Sequence, residues 1–357
     1  MTGNPFPSLE MTERATGRRV RERLSTNENE FGVAPGVLRA IASAASSANR
    51  YPDCEHYLLR RQLGDALGLD PAAIRIGSGI DGLLGQICRT FVGPDGVAVA
   101  GDSTYPTFGY FAGASLRLAP TRDARLDTDT MIGLASGGSR PADAVYLAEP
   151  DNPTGAELGR EAILALADAL PASTLFVLDG AYAEYQRPDR AVRVSDVLER
   201  RMLWLRTFSK AYALAGLRVG YAVGRPELLA ELDAGAEHYV VGRLADAAAR
   251  AALAERAHLA SVLAATAEGV AQYTAELTGM GFHVLPSATN FVTFRCPDPA
   301  AAAELTDGLA RQGIFVRRVA APAMTDCIRL TVGPAEQRAA VLAAVAELST
   351  PARAAIP

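Results

Sequence analysis

A chain of 357 residues, 49% hydrophobic and 21% charged, has room for one large domain and a smaller one and the composition of an ordinary globular protein. Its net charge of −5 leaves no basic footprint for nucleic acid. No stretch approaches the roughly 18 uninterrupted apolar residues of a membrane span, and residues 1–23 hold no apolar run that could serve as a signal segment.

The first 45 residues, with a helix over 37–45, are too few to build a core and are expected to join a small domain at the other end of the chain. A large domain over 46–280 follows. Short apolar runs at 74–76, 97–100, 116–118, 144–148, 175–178, 202–206 and 219–223 alternate with helical stretches such as 82–91 and 161–170. That is the pattern of a mostly parallel seven-stranded sheet covered on both faces. Residues 245–277, rich in Ala and free of Pro, read as one long interdomain helix with room for a single break. Beyond Gly281 the texture changes to 282–285, 290–294, 300–311, 314–317, 327–332 and 335–348, a small α+β domain over 281–357. Cys54, Cys88, Cys296 and Cys327 have no CxxC spacing and His56, His238, His258 and His283 are scattered. Free thiols in a reducing cytoplasm are therefore expected, and a metal site is not.

Lys210 is the only lysine; every other basic residue among the 35 Lys and Arg is an arginine. A coding bias toward Arg accounts for the replacement wherever only charge is needed. It does not account for the one exception. A guanidinium stays protonated and is a poor nucleophile, whereas an amine can be tuned to lose its proton and form an imine. Lys210 is thus a candidate Schiff-base residue before any motif is considered.

Polar groups gather just past the expected strands, where ligands bind in open α/β sheets. Gly77-Ser78-Gly79-Ile80-Asp81-Gly82 opens a helix after a strand, a place where free N–H groups meet an anion. The same string fits G-x-G-x-x-G with Asp102 about 20 residues on, so a nicotinamide-dinucleotide dehydrogenase is the reading from another class. Asn152 lies in the turn Glu149-Pro150-Asp151-Asn152-Pro153-Thr154-Gly155. Asp179 follows four apolar residues and either caps a helix or pairs with a cation such as a protonated pyridine. Thr207, Ser209 and Arg218 surround Lys210 with groups suited to a phosphate monoester.

These strings together resemble the fold-type I aminotransferases of class I and II, most closely the histidinol-phosphate aminotransferase subgroup. The likeness runs from Leu24-Ser25-Thr26-Asn27-Glu28-Asn29 to Cys327-Ile328-Arg329-Leu330-Thr331-Val332-Gly333. It implies pyridoxal 5′-phosphate (PLP) as cofactor, carried by Lys210, with Asp179 on the pyridine nitrogen. Asn152 and Tyr182 would bond the phenolic oxygen and Tyr105 would stack on the ring. The backbone of Gly79, Ile80 and Asp81, with Thr207, Ser209 and Arg218, would hold the phosphate, helped by Tyr51 of the partner subunit in a homodimer. Arg329, Arg317 and Asn29 would bind the substrate. The implied reaction moves an amino group between an amino acid or amino-alcohol phosphate and a 2-oxo acid, with histidinol phosphate the leading substrate. Another amino acid of specialised metabolism, or decarboxylation of the threonine-phosphate type, is the alternative. Four departures stand out. Ile80 and Gly82 replace a Ser and a Glu, Gly180 replaces a Glu, Ser103 replaces a Pro, and Glu30 with Phe31 falls where the far end of the substrate is expected.

Overall fold

The computed structural model describes residues 9–113, 116–233 and 237–349; the extreme ends of the expected domains, 1–8 and 350–357, lie outside them. In chain order the elements are α1 (Leu9–Thr16), β1 (Glu22–Arg23), α2 (Pro35–Ala45), α3 (Tyr57–Leu67), β2 (Ile74–Gly77), α4 (Gly79–Ile87), β3 (Ala98–Gly101), α5 (Thr107–Ala112) and β4 (Leu116–Ala119). Then come β5 (Thr121–Arg122), β6 (Arg125–Leu126), α6 (Thr128–Ser136), β7 (Ala144–Ala148), α7 (Arg160–Ala169), β8 (Leu175–Asp179), α8 (Val194–Leu198), β9 (Met202–Thr207), β10 (Gly220–Gly224) and α9 (Pro226–Asp233). The chain ends with α10 (Arg243–Ala254), α11 (Arg256–Gly279), β11 (His283–Val284), β12 (Phe291–Arg295), α12 (Pro299–Arg311), β13 (Ile314–Phe315), β14 (Arg317–Arg318), β15 (Cys327–Thr331) and α13 (Ala335–Ser349).

All seven expected strands form one sheet in the order β2-β10-β9-β8-β7-β3-β4. Only β10 runs against the rest, antiparallel to both β2 and β9. Residues along each strand alternate between two apolar layers. Val145, Leu147, Phe176, Leu178, Met202 and Trp204 enter one layer, while Tyr146, Leu175, Val177, Leu203 and Leu205 enter the other. Period-2 alternation with both faces apolar is the signature of a sheet sandwiched between helices. The consequence for function is directional. The carboxyl ends of β2, β3, β7, β8 and β9 share one edge, and the reversed β10 delivers its amino end there.

Two expected elements differ in extent. The helix expected at 82–91 starts at Gly79 and widens over its last turn, Cys88–Val92, into a π-helical turn. The long helix breaks once, at Glu255, whose ψ of 49° leaves the helical region. Glu255 turns its carboxylate onto α2, where an added Cβ at Gly36 would lie 1.7 Å from Oε1. An anion over the first turn of a helix is favourable.

The small domain has a four-stranded antiparallel sheet, β11-β12-β15-β14, over its own core of Val292, Phe294, Leu309, Ile328, Leu330 and Val341. The single strand expected at 314–317 splits there. β13 pairs with β1 and β14 pairs with β15, with Val316 between them turning the chain from one partner to the other. The expectation that residues 1–45 join the small domain also divides. Glu22–Arg23 pairs with β13 and Leu24 enters the small core. Helix α2 instead buries Val37 in the large core with Ala245, Ala248 and Ala249 of α10. Its apolar stripe, lying against a helix rich in Ala, chooses the partner that lets two backbones approach closely.

At Gly220 the backbones of β10, β9 and α4 come close together. An added Cβ would fall 2.8 Å from the carbonyl carbon of Gly79 and 3.0 Å from the Arg206 oxygen, both backbone atoms that cannot yield. Gly220→Ala is expected to destabilise the protein by about 1–3 kcal/mol, read as a lowered denaturant midpoint at unchanged slope. An unchanged midpoint would show that β10 can move off α4 freely.

Candidate active site

The edge of the sheet brings the expected residues together. Past β2, Gly79 at φ +69° begins α4, and Ser78 makes no side-chain cap to it. The first-turn N–H groups of α4 are therefore left for another acceptor. Arg218, at φ +53° just before β10, lays its guanidinium against Gly79; a Cβ on that glycine would be 2.5 Å from Nη2. Arg218 Nη1 donates to Ser209 Oγ at 3.3 Å, and the Thr207 hydroxyl donates to the same oxygen at 3.0 Å. One guanidinium, two hydroxyls and an uncapped helix start make a concave anion cradle. Asp81 answers from its side chain as well, bonding Arg218 Nη2 at 3.2 Å and accepting from the Tyr105 hydroxyl at 3.1 Å. The dinucleotide reading loses its acidic partner, since Asp102 Oδ1 is taken by the backbone N–H of Thr121 at 3.0 Å.

Asp179, the last residue of β8, is 3% exposed. It accepts from the Tyr146 hydroxyl at 2.7 Å and from the Ala181 N–H at 2.9 Å, and no cationic side chain among the described residues lies within ion-pair reach. Burial raises its carboxyl to about 6. A carboxylate so placed lacks the positive partner that would keep it ionised. Tyr146 escaped sequence reasoning because it reads as one more apolar residue of its strand, and its ring does stack on Phe108 at 4.8 Å. Gly180, the departure beside Asp179, has a steric reason. A Cβ there would meet Trp204 Nε1 at 2.5 Å, and beneath it Arg206 and Glu184 form a buried pair at 2.6 Å.

Lys210 follows β9 in the turn after Ser209. Its Nζ donates to the carbonyls of Asn27 at 3.0 Å and Thr26 at 3.2 Å. Burial, then the charge of Arg329, lowers its pKa to about 8. Asn29 does not offer its amide to the substrate space: Nδ2 donates to the carbonyls of Lys210 and Ala211, both at 3.1 Å, and Oδ1 accepts from Phe31 N. It braces the lysine turn instead. Tyr182 accepts from Asn27 Nδ2 at 2.8 Å, and burial pushes its phenol up to about 12. Asn27, absent from the sequence-based set, is 1% exposed at φ +54°. The only signal for it was its place in the Asn-Glu-Asn string.

Arg329 in β15 is 8% exposed, donates to Asn152 Oδ1 and, at 2.8 Å, to the Ser25 carbonyl, and stands over the Phe291 ring at 5.3 Å. No carboxylate pairs with it among the described residues, and burial lowers its pKa to about 10. Arg317 is its directly paired neighbour in β14, likewise lowered by burial. Glu30 and Phe31 turn away from this space. Glu30 accepts from Gln337 Nε2 at 3.3 Å, and Phe31 packs on the small-domain core. Tyr51 is 77% exposed and stacks on Tyr239 at 4.7 Å, outside the cluster just described. No helix among the described residues is long and apolar enough to cross a membrane, and none of their acidic, His and Cys groups is arranged to hold a metal ion.

Comparison with known proteins agrees with this geometry. Residues 22–345 match the family described as aminotransferase class I and II. A histidinol-phosphate aminotransferase of Dinoroseobacter shibae is 35% identical over 91% of this chain and 90% of its own. A second, from Methylococcus capsulatus, is 36% identical over 94% and 91%. The crystal structure of histidinol-phosphate aminotransferase from Sinorhizobium meliloti in complex with pyridoxal-5′-phosphate superposes with a TM-score of 0.92 at 37% identity, covering 98% of this chain and 96% of that one. With a family match along most of its length and relatives more than a third identical, the chain belongs to the class I and II aminotransferases.

Proposed function

We propose that this aminotransferase moves the amino group of histidinol phosphate to a 2-oxo acid in amino-acid biosynthesis, with PLP as cofactor, and that it works as a homodimer in the cytoplasm. The observation that carries the substrate reading is the buried Arg329, a guanidinium with no carboxylate paired to it among the described residues, with Arg317 beside it on the next strand. A carboxylate is satisfied by one bidentate arginine, whereas a phosphate dianion gains from two. The relatives named above, all histidinol-phosphate aminotransferases, support the same choice. The departure of Glu30 and Phe31 from the family pattern loses its force, because both face the small domain.

The residues fit PLP on their own chemistry. A phosphate dianion suits the cradle of Thr207, Ser209, Arg218 and the start of α4, and a protonated pyridine supplies the cation that Asp179 lacks. When bound, PLP supplies an aldehyde that condenses with amines and a ring that withdraws electrons from the bond to be broken. Gly79, Ile80 and Asp81 would give backbone donors to the phosphate, with the Asp81 carboxylate yielding Arg218 to it. Asp179 would hold the proton on the ring nitrogen. Asn152, whose Oδ1 is taken by Arg329, has its amide hydrogens left for the ring's phenolic oxygen, alongside the hydroxyl of Tyr182. Tyr105 would cover the ring, its hydroxyl tied to Asp81. Lys210 would carry the cofactor and then move a proton at the carbon bearing the amino group. Arg329 and Arg317 would hold the substrate's anion so that this carbon stays in reach.

The dimer reading rests on exposed apolar side chains, Tyr51, Tyr57, Leu58 and Tyr110 among them. It also rests on Arg243, which pins the carbonyls of Arg50 and Tyr51 beside the exposed Tyr51 ring, which would reach a neighbour's phosphate. The cytoplasmic reading rests on the thiols: Cys54, Cys88, Cys296 and Cys327 are all free.

Three outcomes test this. The amine of Lys210 must be neutral to condense with an aldehyde. In cofactor-free protein, the rate at which added PLP develops colour should therefore rise through a midpoint near 8 and then level off. A midpoint near the ordinary lysine value would mean that the site does not activate this residue. Asp179→Asn should still bind PLP, since the cradle is untouched, yet lose about 3 kcal/mol of transition-state stabilisation, a fall in kcat of roughly a hundredfold. Near-wild-type turnover would remove Asp179 from the ring nitrogen. Arg329→Ala should lower kcat/KM for every substrate by about 10–100-fold, whereas Arg317→Ala should act on phosphorylated substrates alone. If the wild type ignores histidinol phosphate while accepting a free amino acid, the substrate assignment fails.

A further inference from the structure

Asn27 makes five hydrogen bonds inside the site, one of them accepted by its Oδ1 from Thr331 Oγ1 at 3.3 Å, and it has no task so far. Its N–H donates to Thr331 Oγ1 at 3.1 Å. Its carbonyl accepts from Lys210 Nζ at 3.0 Å and from Asn290 Nδ2 at 3.1 Å. Its side-chain Nδ2 donates to the Tyr182 oxygen at 2.8 Å. The residue sits in the left-handed region at φ +54°, which Asn enters more readily than most side chains, and is 1% exposed.

A phenol has a single proton. Where Asn27 already donates to the oxygen of Tyr182, the hydroxyl proton cannot lie along that line and must go to another acceptor. Among the described residues Tyr182 makes no hydrogen bond as a donor, although it is only 3% exposed. A buried hydroxyl with an unused proton is costly unless something arrives to accept it. Accepting from an amide also polarises the O–H and strengthens whatever bond it then makes. We propose that Asn27 is a positioning residue: its amide turns the Tyr182 proton toward the phenolic oxygen of the cofactor, and its carbonyl meanwhile holds the free amine of Lys210. This rests on the assignment of PLP to the site. A donor on that oxygen favours the deprotonated form of the bound chromophore, so Asn27 lowers the pH at which the visible band titrates.

The test is a pH titration of the visible absorption of the PLP-loaded protein, for the wild type, Asn27→Gly, Tyr182→Phe and the double variant. Glycine keeps the left-handed backbone without strain. Both single variants should move the midpoint upward, Asn27→Gly by about 0.5–1 unit, and the double should go no further than Tyr182→Phe. Asn27→Asp, which preserves shape and backbone tolerance, should shift it upward too, because a carboxylate accepts the Tyr182 proton and turns the bond round. An unshifted midpoint in Asn27→Gly and Asn27→Asp would overturn the proposal, even if thermal unfolding shows lost stability. A shift that persists in full in the Tyr182→Phe background would overturn it as well. If the wild type forms no visible band with PLP, the cofactor assignment falls with it; a normal band with an unmoved midpoint removes only the role of Asn27.

Discussion

Burying a carboxylate without a cation costs several kcal/mol even after the surroundings relax, and Asp179 is buried in that way at the end of the central parallel strand β8. The Tyr146 hydroxyl and one backbone N–H soften the cost without removing it, which is why its carboxyl sits near 6. A site of this kind is incomplete until a positive group enters. The rest of the edge makes sense as the means of holding one group there in one orientation. The anion cradle at the start of α4 would fix one end of such a group, and Asp179 would take the other. Gly180, squeezed between Trp204 and the Leu205 carbonyl, keeps the residue after Asp179 from having a side chain that would lever it away.

The reversal of a single strand is what completes the cradle. Were β10 parallel to its neighbours, Arg218 would emerge at the opposite edge of the sheet, far from Thr207 and Ser209. Running backwards, β10 sets Gly220 opposite both Gly77 and Thr207, so the residues just before it arrive among the residues just after β2 and β9. The close approach of Gly220 to Gly79 and the left-handed turn at Arg218 follow from that crowding. Topology here supplies the cradle's arginine, and backbone geometry aims it.

Much of this was legible in the sequence. Seven apolar runs with both faces buried have one economical arrangement, and each polar group that matters stands within a few residues of the end of a run. The lone Lys210 was legible as a candidate imine-forming amine, and it lies at this edge bonded to the Thr26 and Asn27 carbonyls. What escaped were groups whose role depends on contacts across long sequence separations. Tyr146 is apolar by pattern and polar only at its tip. Asn27 and Asn29 lie in one short string, yet one bonds Tyr182 and the other the Lys210 turn, and no spacing within the string separates the two tasks. Val316 could not reveal that 314–317 serves two sheets, because each half is only two residues long. Helix α2 was assigned by chain position, whereas the Ala-rich face of α10 decided its packing.

The N-terminal segment is the joint between the two domains' contributions. Ser25 holds Arg329 from below, Thr26 and Asn27 hold Lys210, and Asn29 braces the turn that carries the lysine. Leu24 meanwhile accepts from Thr331 on the same strand as Arg329. Five of the six residues 24–29 therefore touch either β15 or the turn that carries Lys210, and Asn27 touches both. Arg329 is already desolvated, oriented by Asn152 and Ser25, and short of an anion before any substrate arrives, so little reorganisation is left to oppose binding. Because Asn152 accepts from Arg329 through Oδ1, the guanidinium proposed to hold the substrate and the amide proposed to bond the cofactor are tied to each other. On the proposed assignment, this bond sets the anion-holding guanidinium at a fixed separation from the cofactor's amide partner, and a substrate would fit when the distance from its amine to its anion matches it.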